Sequence, residues 1–186
     1  MARSWTTERL VLRQVPPGES EVVRAYGLKC REFHGPWDPI RSADFWEREV
    51  VARRLAHELD TAVADAGLVL YLSTAEEPDR ILGRIAFHNV VRGFSQSCTV
   101  GYGLAPDATG NGYMTEALAA AVDRVAFGEM GLHRVEAAVI PRNTRSLRVV
   151  ERCGFAREGL SPRFLKIAGV WEDHVRFARL NPVMEQ

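Results

Sequence analysis

The chain has 186 residues, with 24 basic and 24 acidic side chains and 46% apolar residues. That length and balance describe one soluble globular domain, residues 1–186, able to bury a real core. Zero net charge excludes a broad electrostatic footprint for nucleic acid or an anionic membrane, so neither is expected as a partner.

Leu10, Val11 and Leu12 suggest a first strand, ended by Pro16-Pro17-Gly18, and a helix follows over about residues 19–29. Residues 33–41, rich in Pro, Gly and aromatics, read as a shaped loop. Val51, Leu55, Leu59 and Val63 recur every fourth residue, so a long helix is predicted over about 43–65, with Gly67 as its cap. Alternating apolar residues then give three strands: Leu68 to Leu72, Ile81 to Phe87, and Cys98 to Leu104. A glycine-rich segment and a helix through Leu118, Val122 and Val125 follow. A strand at Val135, Ala137 and Val139 precedes a short helix over 143–153, closed by Gly154. Residues 156–178 read as a hairpin turning at Ala168-Gly169. Three strands joined by short turns imply an antiparallel meander, and the later strand–helix–strand unit implies a parallel pair. The fold class is therefore α/β (α+β): a mixed sheet with helices on both faces.

Cys30, Cys98 and Cys153 are odd in number and widely spaced, with no CxxC pair, so neither a metal site nor a disulfide framework is expected. The first thirteen residues lack the apolar core of a signal peptide, and no apolar run approaches the roughly 18 residues of a membrane span. A cytoplasmic protein, monomer or homodimer, is the expectation. Of the basic residues 22 are arginine, which reads as coding bias or as planar forks for anionic groups.

The segment after Leu104 carries Thr109-Gly110-Asn111-Gly112-Tyr113-Met114-Thr115 between a strand and a helix. Its glycines allow positive φ and close backbone approach, while the unpaired first-turn amides and the helix dipole favour an anion. An ordinary strand-to-helix turn is the plainer reading. A P-loop would need Lys-Ser/Thr where Tyr113-Met114 stands. A dinucleotide fold would want a third glycine and an acidic end to the next strand, where Ile140-Pro141-Arg142 stands. Coenzyme A is the third option, with its pyrophosphate on these amides and its pantetheine arm along the strand edge at 98–104.

Eight pieces then occur in order: TTERLVLR (6–13), NVVRG (89–93), GYGL (101–104), TGNGYMTEAL (109–118), HRVEA (133–137), PRNTRS (141–146), CGFAREG (153–159) and WEDHV (171–175). Together they resemble the GNAT acetyltransferases, and within them the RimJ/RimL ribosomal-protein alanine acetyltransferases, RimJ more than RimL. The resemblance implies a mostly antiparallel seven-stranded sheet splayed between its central parallel strands, with acetyl-CoA as cofactor. It maps the superfamily's Q/R-x-x-G-x-G/A onto residues 109–114, with Thr109 and Met114 departing from it; Met114 must then turn its side chain away from the phosphates. It also implies that Ser146 donates a proton to the leaving thiolate and that Asn143 hydrogen-bonds the pantetheine arm. A polar residue at a helix N-terminus is the structural alternative for Ser146. No tyrosine follows Tyr113, so the tyrosine acid of many relatives has no counterpart there.

Acetyl transfer to an amine requires a neutral amine and a donor for the oxyanion. A backbone N–H near Leu104 or Ala105 suits the second need. For the base, Asp173 and His174 are candidates, as is a water held by His88 and Asn89; Asp173 bracing the hairpin is the alternative. Arg142, Arg145 and Arg148 are candidates for the CoA 3′-phosphate. Phe33, His34, Pro36 and Trp37 are placed to wall an acceptor slot, with Trp37 the better site candidate and Trp46 read as packing. The loop 33–41 offers only Asp38 as a carboxylate, whereas polyamine or aminoglycoside acceptors would want an acidic slot. That leans towards a peptide, and the resemblance implies as substrate the N-terminal alanine or serine amine of a ribosomal protein. Small-molecule amine acetylation, an acyl-CoA-binding regulatory domain and a dinucleotide oxidoreductase stand as alternatives.

Overall fold

In the computed structural model, which describes residues 3–184, the chain runs β1 (Ser4–Thr6), β2 (Val11–Arg13), α1 (Ser20–His34), α2 (Arg48–Val63), β3 (Leu68–Ser73), β4 (Gly83–Val91) and β5 (Ser97–Leu104). It continues with α3 (Tyr113–Ala120), which widens into π-type turns at Ala121–Glu129, then β6 (Arg134–Val139), α4 (Thr144–Arg152), β7 (Ala156–Ile167) and β8 (Val170–Leu180). The strands form one sheet in the order β1-β2-β3-β4-β5-β6-β8-β7. Eight strands replace the seven expected. The added one, β1, is only three residues long and is held by its hairpin partner, with Trp5 opposite Leu12, a signal too short for periodicity to report.

Neighbouring residues on a strand point to opposite faces. On β5, a side chain at Gly103 would meet the His34 ring of α1, whereas Tyr102 hydrogen-bonds Ser146 of α4. Helices α1 and α2 therefore cover one face, and α3 and α4 the other. Between them Leu70, Ile85, Phe87, Leu118, Leu132 and Phe177 are fully buried, a continuous apolar core that sets the register. On α2 the apolar stripe runs out: Val51 and Leu55 are buried, but Val63 is 89% exposed.

The chain leaves α2 through Asp65 in the left-handed region (φ 55°), not through a glycine cap at Gly67. Gly67 has another reason to be small, because a β-carbon there would meet the Phe87 carbonyl at 2.7 Å. The final hairpin turns at Ala168 and Gly169, both at positive φ, the geometry that a two-residue turn needs to match strand twist.

One carboxylate ties the N-terminal hairpin to the start of α3. Glu116 accepts from Thr7 Oγ1 (2.5 Å), from the Arg9 amide (3.0 Å) and from Arg9 Nε (2.7 Å). Partial burial pushes its pKa up, but these bonds outweigh it and hold the group below its ordinary 4.5. A depressed carboxylate adds stability above its unfolded value and loses it as pH falls through the folded one. Glu116→Gln is therefore expected to cost about 1–2 kcal/mol at neutral pH, part of the ion pair being solvent-screened. Denaturant unfolding of both proteins should show that difference closing below pH 4.5; a difference that stays constant or widens in acid would contradict this account.

Candidate active site

β5 and β6 run parallel and pair only at Ser97↔Arg134, Cys98↔Val135 and Thr99↔Glu136. Beyond that point each follows its antiparallel neighbour. β5 stays with β4 as far as Gly83↔Leu104, and β6 stays with β8 as far as Val139↔Val175. A wedge opens between them. The Ala105 N–H donates to Leu82 O at 2.7 Å on the β4 side, so alternation turns the Leu104 N–H towards the wedge. Of the two backbone donors considered from sequence, Ala105 is thus committed to the sheet and Leu104 is not. The Leu104 carbonyl accepts from His34 Nε2 at 2.8 Å, and Tyr26 donates to Gly103 O at 3.3 Å, which fixes the strand end from the α1 side.

The wedge widens into a cleft of about 1520 Å³. One end is the glycine-rich loop. Gly110 and Gly112 take φ values of 85° and 77°, and Gly112 occupies the N-cap of α3, which has no side-chain cap. The first intrahelical bond runs from Glu116 N–H to Gly112 O, so the amides of Tyr113, Met114 and Thr115 precede it. A β-carbon at Gly110 would meet nothing within 4 Å. Thr109, Gly110, Gly112, Tyr113, Met114 and Thr115 all line the cleft. Thr109 turns its hydroxyl back to Pro106 O (2.8 Å), and the Met114 side chain is buried. Asn111 is a correction. It does not line the cleft; its amide folds onto Ala108 O and Thr109 O (each 3.3 Å), and its carbonyl accepts from Arg9.

The second wall is the start of α4. Asn143 caps the helix, its Oδ1 accepting from Ser146 N–H at 3.2 Å, so its oxygen is spent locally and its Nδ2 donor is left. The Ser146 hydroxyl lies 2.7 Å from the Tyr102 hydroxyl, which also stands 2.9 Å from the Ser146 carbonyl. Sequence reasoning missed Tyr102. Alternation places it on β5, but only the packed sheet reveals which helical residue it meets. Burial raises the Tyr102 pKa well above that of a free phenol, so it stays protonated. Arg148 and Arg152 line the cleft with no partner among the described residues. Arg145 stacks only on Phe33, and Arg142 is tied to Glu172 (2.8 Å) and lies over Trp37.

The third part is a chamber on the α1/α2 face. Trp37 belongs to a 3₁₀ turn at Gly35–Trp37, and Trp37 and His88 both line the cleft. Trp46 both packs and lines: a β-carbon at Gly27 would fall within its ring. Desolvation by its surroundings and then the Arg84 cation push the His88 pKa below its ordinary 6.5, although the residue keeps an exposed edge. Asn89 is a second correction. It occupies the β4 bulge at positive φ, is exposed, and lies outside the cleft, because the bulge turns it away from the face His88 uses. Asp173 is a third. Its Oδ1 accepts from the Arg163 N–H (2.8 Å), bracing the irregular stretch of β7, and it does not line the cleft, whereas its neighbour His174 does. His174 is nearly buried, with Nδ1 donating to Glu172 O (3.0 Å). Tyr26, Tyr71, Arg54 and Arg84, none of them singled out from sequence, complete the chamber. Among the described residues no cluster of three or more His, Cys, Asp or Glu could hold a metal, and all three cysteines are buried and free.

The family model "Acetyltransferase (GNAT) domain" matches residues 9–156. The chain belongs to the GNAT acetyltransferases. This acetyltransferase is 39% identical to a probable N-acetyltransferase, YjcK, of Bacillus subtilis, over 84% of this chain and 85% of that one. The solved ribosomal-protein-S5-alanine acetyltransferase of Vibrio fischeri superposes with a TM-score of 0.91 and 29% identity, covering 97% of each chain. Mycobacterium smegmatis RimJ in complex with CoA-disulfide gives a TM-score of 0.84 and 30% identity, covering 95% of this chain and 84% of that one.

The acetyl donor of a GNAT enzyme is acetyl-CoA, and the residues here fit it. The amides of residues 113–115 and the open backbone at Gly110 suit a pyrophosphate, and the wedge beside Leu104 gives an extended arm a free strand edge. Among the described residues no helix is long and apolar enough to cross a membrane.

Proposed function

We propose that this acetyltransferase modifies the N-terminal alanine or serine amine of a protein, a ribosomal protein being the natural class, in the cytoplasm. The whole chain serves as one acetyltransferase domain, and the RimJ-like relatives support the reading. The observation that carries it is the charge of the cleft: among the described residues eight arginines line it and one carboxylate, Asp38. Polycationic acceptors such as polyamines and aminoglycosides are repelled by such walls, whereas the single amine of a chain terminus is not.

Bound acetyl-CoA supplies the activated acetyl thioester. The Leu104 N–H meets the acetyl oxygen and stabilises its developing negative charge. Ser146 gives its hydroxyl proton to the sulfur as the carbon–sulfur bond breaks. The Tyr102 hydroxyl, donating to the Ser146 carbonyl and 2.7 Å from Ser146 Oγ, fixes the serine hydroxyl beside the sulfur, and solvent returns the serine's proton afterwards. Asn143 holds the first turn of α4 and offers Nδ2 to the pantetheine amides. Leu104 and residues 109–115, Asn111 excepted, hold the donor, and Arg148 meets its 3′-phosphate. His174, on the wedge side of the chamber, holds the water that takes the amine's proton; Trp37 walls the acceptor, and His88 lines the far end of the cleft, five β4 residues beyond Leu104's partner Gly83.

A thiol-release assay with acetyl-CoA tests the proposal against peptides beginning in Ala or Ser, polyamines and aminoglycosides. Turnover is expected with the peptides; turnover confined to the small amines would overturn it.

A further inference from the structure

Arg54 of α2 lies on the wall of the acceptor chamber, its guanidinium 4.5 Å from the Phe45 ring centroid and 5.0 Å from that of Trp46. The two aromatic faces hold the cation in place. They give it no hydrogen-bond acceptor, and among the described residues it has none; Nη1 is sealed from solvent without a partner. The carboxylate nearby is already taken. Glu58 accepts from the Tyr71 hydroxyl (3.1 Å) and pairs with Arg84 (3.3 Å). Burial and the neighbouring Arg84 and Arg41 cations lower the Arg54 pKa, yet Arg41 is itself paired with Asp38. A guanidinium nitrogen sealed without a partner is costly, and a carboxylate is the ligand that pairs most strongly with the arginine fork.

We propose that Arg54 receives a carboxylate of the acceptor, so that this enzyme selects amines with a carboxylate close to the reacting nitrogen. This deepens the N-terminal acetylation reading and rests on it. The carboxylate comes either from an Asp or Glu side chain in the first residues of a peptide or from the α-carboxylate of a free amino acid. Arg84, fixed by Glu58, is the neighbouring cation that keeps the chamber positive when Arg54 is neutralised by the ligand.

The test compares kcat/KM for pairs of peptides that begin with Ala and carry Glu or Gln at the second or third position, and for alanine against alaninamide. Wild-type enzyme should favour the acidic member of one pair by about 10- to 100-fold, the range of a charge-assisted bond. The favoured pair names the source of the carboxylate. Arg54→Met should erase the preference while leaving acetyl-CoA KM unchanged and thermal unfolding unchanged or raised; Arg54→Lys should keep part of the preference. Equal rates for every pair in wild type, or a preference that survives Arg54→Met, would overturn the proposal. Calorimetric titration of the same pairs into the CoA-loaded enzyme separates the two readings. Preferential binding of the acidic member, abolished by Arg54→Met, without turnover of any peptide would defeat N-terminal acetylation and leave the carboxylate subsite standing.

Discussion

Ser146→Ala is expected to lower kcat by about 10²-fold, the low end of what a positioned proton donor contributes, with little change in KM for acetyl-CoA. The fold supplies a clean experiment. Asn143 caps α4 through the Ser146 backbone N–H, and Tyr102 still reaches the Ser146 carbonyl, so the alanine variant keeps both contacts that anchor the helix. The loss then reports chemistry and not a frayed helix. Tyr102→Phe should cost less, about 10-fold, because the serine keeps its own proton but loses the partner that aims it. Residues that act as one unit are non-additive. The double variant should therefore fall no further than Ser146→Ala alone. Steady-state kinetics of the three variants decide the matter: unchanged turnover in Ser146→Ala, or additive losses in the double variant, would remove the proton-donor role.

The second large effect is expected from filling the acceptor chamber at its floor. Gly101 lies on the face of β5 shared with Gly103, which His34 covers, yet a β-carbon at Gly101 meets nothing within 4 Å. Gly101→Leu places a β-carbon in that open space and sends three further carbons into the chamber. Leucine is also the better strand residue, so stability should hold or rise slightly. The acceptor should be displaced from its attack position, and kcat/KM for the acceptor should fall about 10²-fold, the cost of roughly an ångström of misplacement. Acetyl-CoA binding, governed by residues at the other end of the cleft, should change far less. Calorimetry for CoA, thermal unfolding and acceptor kinetics together check this. Unchanged acceptor kinetics would show that the amine approaches from another direction.

The parts of the site legible in the sequence are those built from consecutive residues. The Gly110-Asn111-Gly112 turn, the first turn of α3, the cap at Asn143 and the hairpin turn at Ala168-Gly169 are local devices, in which backbone geometry follows from the residues themselves. Periodicity likewise gave most elements and the parallel pair between β5 and β6. Errors lay where a neighbour decides. A three-residue strand such as β1 exists only because β2 holds it. Strand alternation alone leaves Asn89 and Asp173 free to face the site, but a bulge turns Asn89 away and the irregular hairpin uses Asp173 as a brace, and no linear pattern records such a twist.

The sequence by itself determined the fold class, the family and the donor, because those rest on short-range geometry and on motifs contiguous in the chain. Tertiary structure alone decided what faces the acceptor. It brought Tyr102 to Ser146 across 44 positions and His34 to Leu104 across 70. It also assigned Glu58 to Arg84 and Tyr71, which leaves Arg54 without an acceptor. The physical reason is that a side chain's partner is set by which sheet face and which helix it meets, and a composition with no net charge conceals a cleft walled by arginine.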